Sequence, residues 1–158
     1  MRGTEFNEGD FFRQIAASGA RALLIGRQAL IALGIPVLTR DYDYWVHIDD
    51  IAGFNDALES LGFAPNRQPA EARATGRYVL ENDEHIDVMV ARAVSTIQGQ
   101  RVAFDEVWQR RRSLDLSEGV FLQLPSIDDL ILTKQFAARP KDAEDIRLLQ
   151  ELLTRDKA

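Results

Sequence analysis

One ordered stretch near the start of this chain limits its fold more than any other feature. Ala22 to Ile25 (ALLI) is a short apolar run of the length of a buried strand, and it ends directly on Gly26. Helix-favouring residues follow from Arg27 to Leu33 until Gly34 and Pro36 stop them, which predicts strand, glycine turn and short helix in that order. Asp41 to Val46 (DYDYWV) then mixes aromatic and β-branched residues with near-alternating polarity, the pattern of a second strand. The series commits the chain to an α/β fold.

The remaining elements fit around it. Phe11, Phe12, Ile15 and Ala16 recur at helical spacing, so Asn7 to Ser18 reads as a first amphipathic helix. Asp49 and Asp50 can cap a helix whose apolar positions Ile51, Phe54, Leu58 and Leu61 lead to Gly62. Asn66 to Gly76 has no periodicity and reads as a loop. Arg77 to Leu80 and His85 to Val90 form a predicted hairpin around Asn82 and Asp83. A short helix is expected over Val102 to Arg111 and a last strand over Val120 to Leu122. Ser126 with Asp129 resembles a capping box that opens a helix to Ala138, and beyond Pro140 a final helix is expected from Lys141 to Thr154.

A chain of 158 residues with 46% apolar side chains fills one core, so residues 1–158 are expected to form a single domain whose C-terminal part, from 126 to 154, is helical. Cysteine is absent, which excludes a disulfide framework, a thiolate metal site and a cysteine nucleophile. The serines have no elbow motif around them, which argues against an acyl-transfer hydrolase. Met1 to Phe6 (MRGTEF) is compatible with a vector-derived leader and carries no functional weight. With no signal peptide and no apolar run near the roughly 20 residues of a membrane span, a cytoplasmic protein without a membrane partner is expected.

Acidic residues number 25 against 19 basic ones, a net charge of −6, which disfavours nonspecific DNA binding through phosphate neutralisation. The densest basic run, Arg110 to Arg112, reads as a solvated helix end that complements the helix dipole. A nucleic-acid adaptor using that run is the weaker reading.

The chemistry lies in the acids. Residues two apart on a strand project from one face, so Asp41 and Asp43 sit roughly 7 Å apart at Cα with their carboxylates side by side, while Tyr42, Tyr44 and Val46 face the other way. Asp87 repeats the pattern between the apolar residues Ile86, Val88 and Val90. Like charges so close favour a divalent cation with hard oxygen ligands. Three carboxylates on neighbouring strands suit two Mg²⁺ ions about 4 Å apart, with Mn²⁺ as a substitute, and phosphoryl or nucleotidyl transfer is the chemistry that needs them. A glycine between a buried strand and a helix adds free backbone N–H groups where phosphates bind. Trp45 shares the face of Asp43, where a buried aromatic is favoured over a base-pocket wall, and the two histidines, His47 and His85, have no partner at metal-ligand spacing and receive no role.

The order of strand, Gly26, helix, Asp41-x-Asp43 and later Asp87 resembles the polymerase-β-like nucleotidyltransferase superfamily. Leu124 to Leu149 (LPSIDDLILTKQFAARPKDAEDIRLL) looks like the C-terminal part of minimal nucleotidyltransferases related to abortive-infection toxins, with Lys134, Arg139, Lys141, Asp142 and Asp145 at the matching positions. The resemblance covers about Ala22 to Leu153. It implies a small mixed sheet flanked by helices, and transfer of a nucleotide from an NTP to an RNA or protein hydroxyl. It also implies the toxin role of a toxin–antitoxin pair, with an antitoxin as partner.

Carried over residue by residue, Asp41, Asp43 and Asp87 would be the catalytic metal ligands. Gly26, Arg27, Thr39 and Lys134 would contact the nucleotide. Two positions depart from the pattern. Arg27 stands where the family has Gly or Ser, and Val37 stands two residues before Thr39 where a basic residue is usual. They keep a second reading open, a degenerate member retained as a binding or regulatory module. Without the resemblance, Lys134 would read as a lysine covering apolar surface and snorkelling to water.

Overall fold

The computed structural model describes residues 6–117, 119–137 and 139–157. Helix α1 (Glu8–Ala17) leads into β1 (Ala22–Ile25), which passes directly into α2 (Gly26–Ala32) and then β2 (Tyr42–Val46). Helix α3 (Ile51–Glu59), β3 (Ala64–Pro65) and α4 (Pro69–Thr75) precede the hairpin of β4 (Arg77–Glu81) and β5 (His85–Met89). Next come β6 (Ala93–Ser95), β7 (Arg101–Ala103), α5 (Phe104–Gln109), β8 (Arg112–Ser117) and β9 (Val120–Leu124). Helices α6 (Ile127–Lys134) and α7 (Pro140–Lys157) close the order.

The main sheet runs β1-β2-β5-β4-β3 and is mixed: β2 and β5 pair in parallel and the other neighbours are antiparallel. Two-residue periodicity divides it into two faces. One face carries Ala22, Leu24, Tyr42, Tyr44, Val46, Tyr78, Leu80, Ile86 and Val88, all buried with Phe11, Phe54, Leu58 and Leu149 from the helices. Each such large apolar side chain contributes about 1.5–3 kcal/mol by leaving water. The other face is half covered. Leu23 and Trp45 lie under Val102, Phe104 and Val107, while the row beside them, Ile25, Asp43, Asp87 and Val79, borders an open cavity.

Several expectations change. The stretch read as a loop, Asn66 to Gly76, contains α4; Pro69 opens it in the first turn, and Ala72 is its one buried residue, so no apolar period marks it. Helix α5 is shorter than Val102 to Arg111, because Arg101–Ala103 pairs with β6 instead. Helix α6 stops at Lys134, and Ala138, the end expected for it, lies outside the described residues. The arginine run does follow the C-terminal end of α5, with Arg110 and Arg111 exposed, but its side chains are tied down rather than free. Arg110 pairs with Asp129 at 3.0 Å, Arg111 lies 3.9 Å over the Trp108 ring, and Arg112 begins β8. His47 is buried just after β2 and accepts the Asp49 N–H through Nδ1. Trp45 is fully buried and donates to the Ala91 carbonyl at 2.9 Å. Among the described residues no helix is long and apolar enough to cross a membrane.

Candidate functional site

The parallel pairing of β2 and β5 sets Asp43 opposite Asp87, one strand spacing of roughly 4.8 Å apart at the backbone and on the same face. On the other side of Asp43 lies Ile25, so β1 hands the chain to Gly26 beside the carboxylate. Gly26 has φ of +70°, and a Cβ there would collide with the Asp43 side chain. The glycine thus serves two needs, a left-handed turn and close approach of backbone to carboxylate. Burial, followed by the Asp87 charge, pushes the Asp43 carboxyl up to about 6, against the opposing pull of Lys134 and Arg139.

Asp87 is half exposed, and its Oδ1 lies 3.0 Å from His85 Nε2, while His85 Nδ1 lies 3.1 Å from Glu81. Hydrogen bonds to Glu81 and then to Asp87 raise the His85 pKa. Sequence reasoning gave His85 no role, although its position two residues before Asp87 on one strand face was a usable signal. Asp41 is exposed just ahead of β2, where its N–H donates to Thr39 Oγ1 at 3.3 Å.

A second group forms where α2, α6 and α7 meet. Asp145 is fully buried and accepts from Arg27 Nε and Nη2 at 3.1 Å each and from Lys134 Nζ at 2.8 Å. Burial alone would raise the Asp145 pKa, but the Arg27 and Lys134 hydrogen bonds hold it below the ordinary carboxylate value. Lys134 is itself buried and also stands 3.7 Å from Asp142, which accepts from Arg139. Lys134 does not snorkel to water, because it is fixed between two carboxylates. Arg27 is drawn the same way, its Nη1 donating to the Leu38 carbonyl at 3.1 Å.

All seven residues singled out from the sequence, Gly26, Arg27, Thr39, Asp41, Asp43, Asp87 and Lys134, line one cavity of about 500 Å³. Arg67, Arg77, Met89 and Phe136 line it too. None of these four was singled out from the sequence: Met89 follows Asp87 on β5, while Arg77 of β4, Arg67 of the β3–α4 connection and Phe136 just after α6 are brought in only by the tertiary fold.

Among the described residues no group of three His, Asp or Glu side chains is drawn together closely enough to chelate a metal unaided. The donor set nevertheless fits Mg²⁺, which takes one or two carboxylates and completes its shell with water and substrate phosphates. Asp87 and Asp43, whose carboxyl is raised by burial and by the Asp87 charge beside a glycine that leaves room, supply such ligands.

No family model and no curated protein matches the chain. Solved structures do. The antibiotic-resistance factor ANT(2'')-Ia superposes with a TM-score of 0.62 at 15% identity over 95% of this chain and 86% of its own. The lincosamide antibiotic adenylyltransferase LnuA, solved with lincomycin bound, gives 0.62 at 14% identity over 93% and 98%. TM1012 from Thermotoga maritima, described as a nucleotidyltransferase, gives 0.59 at 11% over 94% and 91%. The chain therefore has the nucleotidyltransferase fold, an α+β arrangement with a small mixed sheet.

Proposed function

We propose that this protein is a Mg²⁺-dependent nucleotidyltransferase that moves a nucleotide from an NTP to a hydroxyl of RNA or protein. The observation that carries this reading is the Asp43–Asp87 juxtaposition in a cavity that also holds Asp41, with Gly26 against the Asp43 carboxylate. Asp41, Asp43 and Asp87 would hold the metal, Mg²⁺ or Mn²⁺, with water and substrate phosphates completing its shell. Bound there, it would neutralise the charge that builds on the phosphates as the pyrophosphate leaves.

The chain's own residues account for the rest. The acceptor hydroxyl oxygen forms a bond to the α-phosphorus as the α–β phosphoanhydride bond breaks, and the hydroxyl proton passes to the carboxylate pair. Thr39 orients Asp41 through its backbone, and Gly26 admits the Asp43 carboxylate and, with it, the phosphates. Arg27 and Lys134 present fixed positive charge at the cavity wall for the triphosphate, their geometry set by Asp145. Structural similarity to an adenylyltransferase supports nucleotide transfer as the class of reaction. The resemblance of Leu124 to Leu149 to abortive-infection enzymes supports a cytoplasmic toxin with a cognate antitoxin.

A degenerate binding module is the second reading, favoured by one observation: Arg27 occupies the position of a small family residue and is tied to Asp145. Calorimetric titration of ATP, GTP, CTP and UTP, with and without Mg²⁺, separates the two. Mg²⁺-dependent binding that disappears in Asp43→Ala is the expected result. A folded wild type that binds none of the four would make the module the better account.

A further inference from the structure

The cavity holds cations of two kinds. Beside α7, Arg27, Lys134 and Arg139 are matched by Asp145 and Asp142. On the β4 side, Arg67 and Arg77 have no carboxylate within ion-pair distance among the described residues. Arg67 Nη1 instead donates to neutral acceptors, the Arg77 carbonyl at 2.7 Å and Thr75 Oγ1 at 3.1 Å, so its orientation is fixed while its charge stays unspent.

These arginines are adjacent to the acids by construction of the sheet. Val79 stands opposite Asp87, and Asn66 grips Val79 through both main-chain groups, which places Arg67 next in line. Arg77 lies two residues from Val79 on the same face, opposite Met89. Strand spacing and rise put Arg77 about 9 Å from Asp87 at Cα, the reach of one molecule carrying both a hydroxyl and a phosphate. In a chain of net charge −6, the cavity lining reverses the sign: Arg27, Arg67, Arg77, Lys134, Arg139 and Lys141 outnumber Asp41, Asp43, Asp87 and Asp142 by six to four.

We infer that Arg67 and Arg77 form the acceptor subsite and select an acceptor that bears a phosphate next to its hydroxyl. This rests on the nucleotidyltransferase reading of the Asp43–Asp87 site. Planar guanidinium forks match phosphate oxygens in pairs, and two uncompensated ones repel an amine-bearing alcohol. The same chemistry could be offered by the end of an RNA strand or by a small phosphorylated alcohol.

The test compares a fluorescent RNA dodecamer with the same strand whose last two linkages are neutral methylphosphonates, on wild type and on Arg67→Gln/Arg77→Gln, beside a Mg²⁺–NTP titration of both proteins. The wild type should bind the charged strand at least about tenfold more tightly, and the double variant should lose that preference while its NTP affinity is unchanged. Arg67→Lys/Arg77→Lys should restore part of the preference, which separates lost charge from lost folding. Displacement of the strand by AMP would assign a small phosphorylated alcohol as acceptor, and resistance to AMP would assign a strand end; either supports the subsite. A wild type that binds both strands equally, or neither, overturns the inference, as does a double variant with wild-type preference. Loss of Mg²⁺–NTP binding alone, with strand preference intact, would instead sink the reading of the acidic site.

Discussion

Asp43 and Asp87 face each other across the parallel β2–β5 pair, two carboxylates at one strand spacing. Evolution of a core for stability alone would not place like charges there, since the Asp87 charge opposes ionisation of the largely buried Asp43. The arrangement costs stability until a cation or a proton offsets it.

The first prediction follows from that cost. Because the folded-state pKa of Asp43 is raised to about 6, its ionised form destabilises the fold above pH 6. Near pH 4 and below, the carboxyl is protonated in the folded protein and the penalty fades. Asp43→Asn should therefore stabilise the metal-free protein by about 2 kcal/mol at pH 8 and by almost nothing at pH 4. Thermal melts in EDTA at the two pH values check this, and an equal shift at both would contradict it.

Gly26→Ala should cost about 1–2 kcal/mol for placing a side chain in the left-handed region, and the new Cβ should turn the Asp43 carboxylate away. Gly34, at φ of +90°, has nothing within 4 Å of its would-be Cβ. Gly34→Ala should carry a similar stability loss yet keep Mg²⁺–nucleotide affinity, while Gly26→Ala loses it. Parallel melts and titrations of the two variants would show whether the collision with Asp43 matters.

Asp145 binds two cations from two other helices in a buried position, so Asp145→Asn leaves Lys134 and Arg27 short of a counter-charge. A loss of about 3 kcal/mol in urea unfolding is expected. Glu144→Gln, at the position before Asp145, removes an acceptor that pairs with Arg147 on the exposed side of α7 and should leave the urea midpoint close to that of the wild type. Similar losses in the two variants would mean that the buried cluster contributes no more than a surface pair.

Asp50 joins the start of β1 to the start of α3, accepting from Arg21 Nε and backbone N–H at 2.8 Å each and from Nη2 at 3.0 Å. The Arg21 side-chain hydrogen bond comes first among the causes that lower its pKa. A depressed carboxylate stabilises above its unfolded value near pH 4 and loses that contribution as pH falls through its folded value. Because Arg21 is 41% exposed, solvent screening limits the gain to about 1 kcal/mol. The urea midpoint of Asp50→Asn should fall below wild type at pH 7 and meet it below pH 3; a gap that persists in acid would assign the effect to packing.

The elements that could be read from the sequence were those whose signal is local. The run from Ala22 to Ile25, the glycine after it, and the spacing of Ile51, Phe54 and Leu58 each express burial on one face of one element, and the structure places β1, α2 and α3 there. Helix α4 escaped because one buried alanine leaves no period, and β8 escaped because Arg112–Ser117 is mostly exposed and takes its strand form from pairing with β9.

The sequence by itself determined which residues could carry the chemistry: alternation put Asp43 on the face opposite Tyr42 and Tyr44, and a glycine marked where backbone approaches it. Only the tertiary structure decided who meets whom. The parallel register of β2 and β5 sets Asp43 against Asp87, α7 brings Asp145 to Arg27 across 118 positions of sequence, and β4 carries Arg77 to the cavity rim with Arg67 of the β3–α4 connection held beside it. Such pairings depend on strand register and helix docking, which are set by the whole core at once, and no local pattern of side chains encodes them.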